Sequence, residues 1–167
     1  MKSVMEHKFS EVPQANIERS VFDRSHGLKT TFESGYLVPI YFDEALPGDS
    51  HKLSINAFAR LSTPIKPIMD NLHMDFFFFS VPLRLIWDNF QKFMGEQTDP
   101  GDSIDFTVPQ VDYGPTWADN SIWDYFGLQP ATVGVTSVSA FWSRAYNLIY
   151  NEWFRDQNLQ DSEIGRA

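Results

Sequence analysis

Hydrophobic and polar side chains alternate most clearly over residues 52–61. The apolar positions are Leu53, Ile55, Ala57, Ala59 and Leu61. The intervening positions are Lys52, Ser54, Asn56, Phe58 and Arg60, and all but one of them are polar. A period of two is typical of a strand with one face in a core and the other in water. We therefore predict a strand here, with Leu53, Ile55 and Leu61 buried.

The stretch DFFFFSVP places four phenylalanines in succession. Successive side chains of a strand point to opposite faces, so Phe76 and Phe78 share one face and Phe77 and Phe79 the other. A strand that is apolar on both faces lies centrally in its fold. We expect the first pair to lie between two sheets. The second pair should meet either a helix predicted at 83–94 or an adjacent subunit.

Helical spacing appears in three further segments. Apolar residues, including Phe90, recur every three or four positions between Pro82 and Gly95 and predict the helix at 83–94. The stretch SIWDYFGL predicts a short helix, and SVSAFWSRAYNLIYNEWFRDQNLQ an amphipathic helix of about 16 residues. Trp142 and Trp153 flank the apolar face of the last helix and are expected in the core rather than on a base- or sugar-stacking platform.

The remaining segments are less regular. The run 36–42 is rich in strand-forming residues, and Pro39 within it suggests an edge position or a bulge. The segment 96–120 is rich in Asp, Pro and Gly and predicts an irregular surface excursion, and another loop is predicted at 129–134. Residues 1–28 show no sustained period and are expected to form an extended arm before a single domain at 29–167.

Composition and charge change this picture in two ways. The chain of 167 residues is 16% aromatic with 15 phenylalanines and carries a net charge of −9. Eight acidic residues lie between positions 84 and 126 against two basic ones, so the chain is not expected to condense DNA by itself.

There is no cysteine, which excludes disulfides, a thiol nucleophile and cysteine-ligated metals. No apolar run approaches the ~20 residues of a membrane span, and the beginning of the chain lacks a signal-peptide pattern, so we expect a soluble protein.

Catalytic and metal-binding patterns are weak. His73 and Asp75 share one strand face and are expected to be a plain exposed pair. Asp99, Asp102 and Asp105 lie in one loop but depart from the spacing of calcium loops, so a solvated acidic turn is favoured. The sequence contains no phosphate-binding glycine loop and no nucleophile elbow. We expect no enzymatic activity, no cofactor and no metal, and a structural or binding role instead.

Two long stretches resemble a known family. They are GYLVPIYFDEALPGDSHKLSINAFARLSTPIKPIMDNLHMDFFFFSVPLRLIWDNFQKFMGE and RAYNLIYNEWFRDQNLQ. Both resemble the N-terminal part of the major capsid proteins of small single-stranded DNA phages, the microviruses, and in particular of the gokushovirus branch. The resemblance extends from about Phe9 to Gln160 and therefore covers nearly the whole chain.

The resemblance implies a mainly β fold, an eight-stranded antiparallel jelly roll with long helical and loop insertions. It also implies self-assembly into a small icosahedral shell, with a small basic DNA-binding virion protein as a partner. The packaged single-stranded DNA would be contacted weakly or indirectly. The protein would be located in the virion after assembly in the bacterial cytoplasm. Because only three clear strands are present, this chain is expected to supply only part of the barrel, as a fragment or one piece of a longer protein.

These expectations define a set of core and assembly residues. They are Leu53, Ile55, Leu61, Phe76, Phe77, Phe78, Phe79, Phe90, Trp142 and Trp153. Two alternatives stay open at this stage, a jelly-roll carbohydrate-binding module and a fragment of a β-rich enzyme. A carbohydrate-binding module would bind glycans as a monomer, whereas a capsid protein would form large particles that contain DNA.

Overall fold

The structure is a computed structural model that describes residues 18–113, 121–128 and 136–162. The chain divides into two units, Met1–Thr30 and Thr31–Ala167. Within the described ranges, no helix is long and apolar enough to cross a membrane.

In the first unit, residues 18–30 are exposed and form neither helix nor strand. The extended conformation expected for the arm at 1–28 stays a prediction, and residues 1–17 lie outside the described residues. A local turn is closed by Asp23, whose carboxylate accepts hydrogen bonds from the hydroxyl (2.5 Å) and the backbone N–H (2.9 Å) of Ser25. These bonds, the hydroxyl's first, lower the pKa of Asp23 below its ordinary value of 3.8. At pH values above 3.8 the Asp23 carboxylate is charged, and its hydrogen bonds stabilise the turn. This stabilisation is lost as the pH falls through the lowered pKa of Asp23.

The second unit contains short helices and one small sheet. In chain order they are a 3₁₀ helix (Leu83–Leu85), α1 (Phe90–Phe93), β1 (Gln110–Tyr113), α2 (Ile122–Tyr125), β2 (Thr136–Ser139), α3 (Phe141–Ile149) and a π-helix (Tyr150–Phe154). Strands β1 and β2 form a two-stranded antiparallel sheet in which Val111 lies opposite Val138. The Ser137 hydroxyl donates a hydrogen bond to Asp112 across the same pair of strands. This sheet is compatible with a mainly β fold, and the eight-stranded jelly roll stays a prediction.

The amphipathic helix predicted near the end of the chain is confirmed. The nine residues of α3 continue directly into the five residues of the π-helix, so the two together approach the predicted length. Beyond Phe154 the backbone becomes extended at Arg155. The short helix predicted in SIWDYFGL is also confirmed as α2, and its first turn is capped by the Ser121 hydroxyl, which accepts from the N–H of Asp124.

The prediction of one continuous helix over 83–94 is wrong. The 3₁₀ helix and α1 share this segment, and a turn at Asp88 and Asn89 separates them. Aspartate and asparagine have low propensity for helix interiors, which agrees with an interruption at these positions. The predicted end is confirmed, because Gly95 has φ +97° directly after the helical turn.

The three predicted strands at 36–42, 53–61 and 72–81 do not form within the described residues. A strand is stable only when neighbouring strands satisfy its backbone groups, and periodicity cannot show whether those neighbours are present. The burial expected for Leu53, Ile55 and Leu61 is accordingly absent, since they are 48%, 40% and 48% exposed. Their exposed fractions are nevertheless smaller than that of Phe58, which lies on the opposite side of the alternation and is 93% exposed.

The irregular excursion is confirmed over 96–109, which is mostly exposed and contains neither helix nor strand. Strand β1 was not predicted, because it depends on pairing with β2, far along the sequence. Residues 114–120 and the loop predicted at 129–134 lie outside the described residues.

Candidate assembly surface

The first aromatic cluster surrounds a buried tryptophan. Trp87 is buried and lies 5.2 Å from Phe93, 5.7 Å from Phe141 and 6.4 Å from Phe90, measured between ring centroids. Such tilted ring pairs stabilise beyond the area that they bury. Phe90, one of the expected core residues, is half-buried within this cluster.

The second cluster lies on another side of α3. The ring of Trp142 is 4.4 Å from that of Phe42, and Phe42 also meets buried Phe126 edge-on at 5.7 Å. Tyr146 completes the group with an edge contact to Phe126 at 6.4 Å. The structure thus places Trp142 among aromatic neighbours, as the sequence predicts.

The third cluster involves half of the phenylalanine run. Phe77 and Phe79 pack edge-on against Phe154 at 5.5 and 6.1 Å, and Phe79 also lies 5.7 Å from Trp153. The predicted contact of these phenylalanines with the helix at 83–94 is therefore replaced by a contact with the π-helix. Trp153 is 72% exposed, so the core position predicted for it is wrong in this chain, and the cluster lies at the surface of the chain.

Both halves of the phenylalanine run stay partly exposed, and Phe77 is 58% exposed despite its contact with Phe154. Phe76 is 38% exposed and Phe78 is 53% exposed, so burial on both faces is not reached in this chain. Large apolar side chains are also exposed throughout the segment 46–78. The exposed members are Leu46, Leu53, Ile55, Phe58, Leu61, Ile65, Ile68, Met69, Leu72, Met74, Phe76, Phe77 and Phe78. We call this segment the open apolar segment.

Three long-range hydrogen bonds were not foreseen from the sequence. The Arg144 guanidinium donates to the carbonyl of Ile86 at 3.0 Å. The hydroxyl of Tyr146 donates to the carbonyl of Leu37 at 2.8 Å, and that of Tyr125 to the carbonyl of Thr31 at 3.0 Å. They attach other segments to α2 and α3, and no local pattern of residues could have indicated these partners.

The polar groups of the described residues do not assemble into a metal site. No group of three histidine or carboxylate side chains among them is placed to hold an ion. In the acidic turn, the Asp102 carboxylate accepts from the backbone N–H groups of Thr98 and Asp99, each at 3.2 Å. The backbone of the turn therefore donates to this carboxylate.

An aromatic core beside a long apolar surface is the arrangement of a subunit that associates through large interfaces. Comparison with known proteins agrees with this class. The sequence profile of a family described as capsid protein (F protein) matches residues 10–164. The chain belongs to this phage capsid protein family, whose role is structural rather than catalytic.

Three relatives illustrate the similarity. The chain is 50% identical over 171 residues to capsid protein VP1 of Chlamydia phage 1 and 46% identical over 155 residues to that of Bdellovibrio phage phiMH2K. It is 36% identical over 156 residues to capsid protein VP1 of Spiroplasma virus 4. The matches cover 97%, 92% and 92% of this chain but only 28%, 29% and 28% of the respective relatives. They give no support to the carbohydrate-binding alternative.

Proposed function

We propose that this chain forms part of a major capsid protein, which self-assembles into the icosahedral shell of a single-stranded DNA phage. The observation that carries the proposal is the open apolar segment in a chain of the phage capsid family. Monomeric soluble proteins rarely expose contiguous apolar patches beyond a few hundred Å². A segment with this many exposed large side chains therefore requires a cover.

In this proposal, the exposed apolar side chains are covered by two kinds of neighbour. The alternating segment 53–61 and the phenylalanine run pair with strands from the rest of the capsid protein, which completes the eight-stranded jelly roll. The relatives are more than three times as long as the matched segment, which leaves ample chain for those strands. Neighbouring subunits of the shell then cover exposed aromatic side chains such as Trp153.

Charge limits how this part of the shell meets the genome. A net charge of −9 opposes close approach of a phosphate backbone. A small basic virion protein therefore neutralises most of the packaged DNA, and this chain contacts the DNA weakly or indirectly. Assembly takes place in the cytoplasm of the bacterial host.

A chimaera tests the proposal. The chain would replace the matching segment of capsid protein VP1 of Chlamydia phage 1, which is 50% identical to it. Expressed with the other virion proteins of that phage, the chimaera should sediment as shells that protect single-stranded DNA from nuclease. The control is unmodified VP1 expressed in the same way.

A folded, soluble chimaera that stays a monomer while the control forms shells would contradict the proposal. If the chimaera is insoluble, the same replacement is made in VP1 of Bdellovibrio phage phiMH2K, which is 46% identical. Failure to form shells in both proteins would also contradict it.

A further inference from the structure

Residues 31–42, which we call the strap, reach the helices without joining a sheet. The segment contains no helix or strand, and a turn at Gly35 with φ +88° separates its exposed first half from residues 37–42, which are half-buried. In this respect the strap differs from β2, which is fixed by a ladder of backbone hydrogen bonds to β1.

Two tyrosine hydroxyls hold the strap at separate points. Tyr125 of α2 donates to the carbonyl of Thr31, and Tyr146 of α3 donates to the carbonyl of Leu37. Each bond stabilises the attachment of the strap to its helix. The two bonds reach the strap from different helices, so they constrain it along its length.

The far end of the strap is anchored by one aromatic ring. Phe42 lies against Trp142 and Phe126, and Phe126 is among the few buried side chains of the described residues. Removing Phe42 from this position would expose the aromatic face formed by Phe126, Trp142 and Tyr146.

The closed arrangement also has an unfavourable feature. The indole Nε1 of Trp142 is buried and has no hydrogen-bond acceptor among the described residues. A buried donor without an acceptor destabilises the state in which it is buried, and access of water removes the penalty. No ladder of backbone hydrogen bonds fixes the strap, while one group beneath it favours opening.

We propose that the strap is a conformational device that opens reversibly as one unit, exposing the aromatic face of Phe126, Trp142 and Tyr146 while α3 stays folded. Local openings of this kind occur in segments that have few buried contacts and lie outside hydrogen-bond ladders. The inference rests on the geometry of the strap and does not depend on the proposed function.

The absence of cysteine makes a single engineered thiol a specific probe. Ile40→Cys places the thiol in the half-buried part of the strap, and Val138→Cys places a reference thiol at a half-buried position of β2. The rate of thiol labelling is measured in the full chain for both, with and without Tyr146→Phe. Loss of the hydroxyl should accelerate labelling in the Ile40→Cys variant about three- to tenfold, in proportion to one lost hydrogen bond.

Two further substitutions separate this device from general loosening. Tyr125→Phe should also accelerate labelling in the Ile40→Cys variant. Tyr150→Phe should not, because its hydroxyl donates to the side chain of Gln160, outside the strap. Labelling in the Val138→Cys variant should stay unchanged throughout. Unchanged strap labelling in both Tyr146→Phe and Tyr125→Phe would overturn the proposal, and so would equal acceleration of the two thiols.

Discussion

Trp87→Ala should lower the free energy of unfolding of the second unit by ~3–5 kcal/mol. Trp87 is only 8% exposed and its ring contacts Phe90, Phe93 and Phe141, so its removal leaves a cavity between two helices. Because typical domains are stable by ~5–15 kcal/mol, this loss is a large fraction of the total. Urea denaturation followed by the circular dichroism of the helices measures the effect.

The matched control is Trp153→Ala, which removes the same side chain from a position that is 72% exposed. Little buried area is lost there, so the destabilisation should be below about 1.5 kcal/mol. Equal destabilisation by the two substitutions would show that the core is not centred on Trp87.

Phe78→Asp should abolish particle formation without unfolding this chain. The ring is half-exposed here, so a carboxylate at this position stays hydrated and the chain should retain its helices. In the complete shell the position is covered according to the proposed function, and an unpaired carboxylate buried there costs several kcal/mol. The yield of sedimenting particles from the chimaera with VP1 of Chlamydia phage 1 should fall at least roughly tenfold.

Phe58→Asp provides the control with the same change of side chain. Phe58 belongs to the open apolar segment, but it lies on the polar side of the alternation, which the proposed jelly roll leaves in water, and it is 93% exposed. Particle yield should therefore stay near that of the unmodified chimaera. Normal yield from Phe78→Asp, or an equal loss from Phe58→Asp, would mean that the phenylalanine run is not covered in the shell.

Local patterns predicted the elements that depend on local interactions. Helix α3 follows from apolar residues at helical spacing, and α2 from a serine cap before a short apolar run. Gly95 marked the end of α1 because its positive φ is costly for other residues. The interruption at Asp88 and Asn89 was also present in the sequence, but the apolar spacing across it suggested one continuous helix.

Elements that depend on distant partners could not be predicted in this way. The alternation over 53–61 predicts which face of a strand would be apolar. It does not indicate whether a neighbouring strand is present to pair with it. Conversely, β1 and β2 pair although α2 lies between them along the chain, and four residues in each strand are too few for a pattern to stand out. The same reasoning applies to the phenylalanine run, whose partners Trp153 and Phe154 lie more than 70 residues further along the chain.

The tyrosine contacts of the strap show this limit at the level of single atoms. Tyr146 and Leu37 are separated by 109 residues, and a buried tyrosine hydroxyl can bond to any carbonyl that the fold brings near. Only the three-dimensional structure identifies that carbonyl. Membership of the capsid family, by contrast, could be inferred from the sequence, because long stretches of residues carry it.

Hydrogen exchange in the assembled particle tests the central claim most directly. Amide protection of residues 53–61 and 72–81 would be compared between this chain alone and the particles formed by the chimaera with VP1 of Chlamydia phage 1. The account predicts rapid exchange in the isolated chain, where these segments form no strand. In the particle, strand pairing and burial should slow the exchange by at least about a hundredfold. Equally rapid exchange in both states would contradict the claim that the open apolar segment becomes part of the shell.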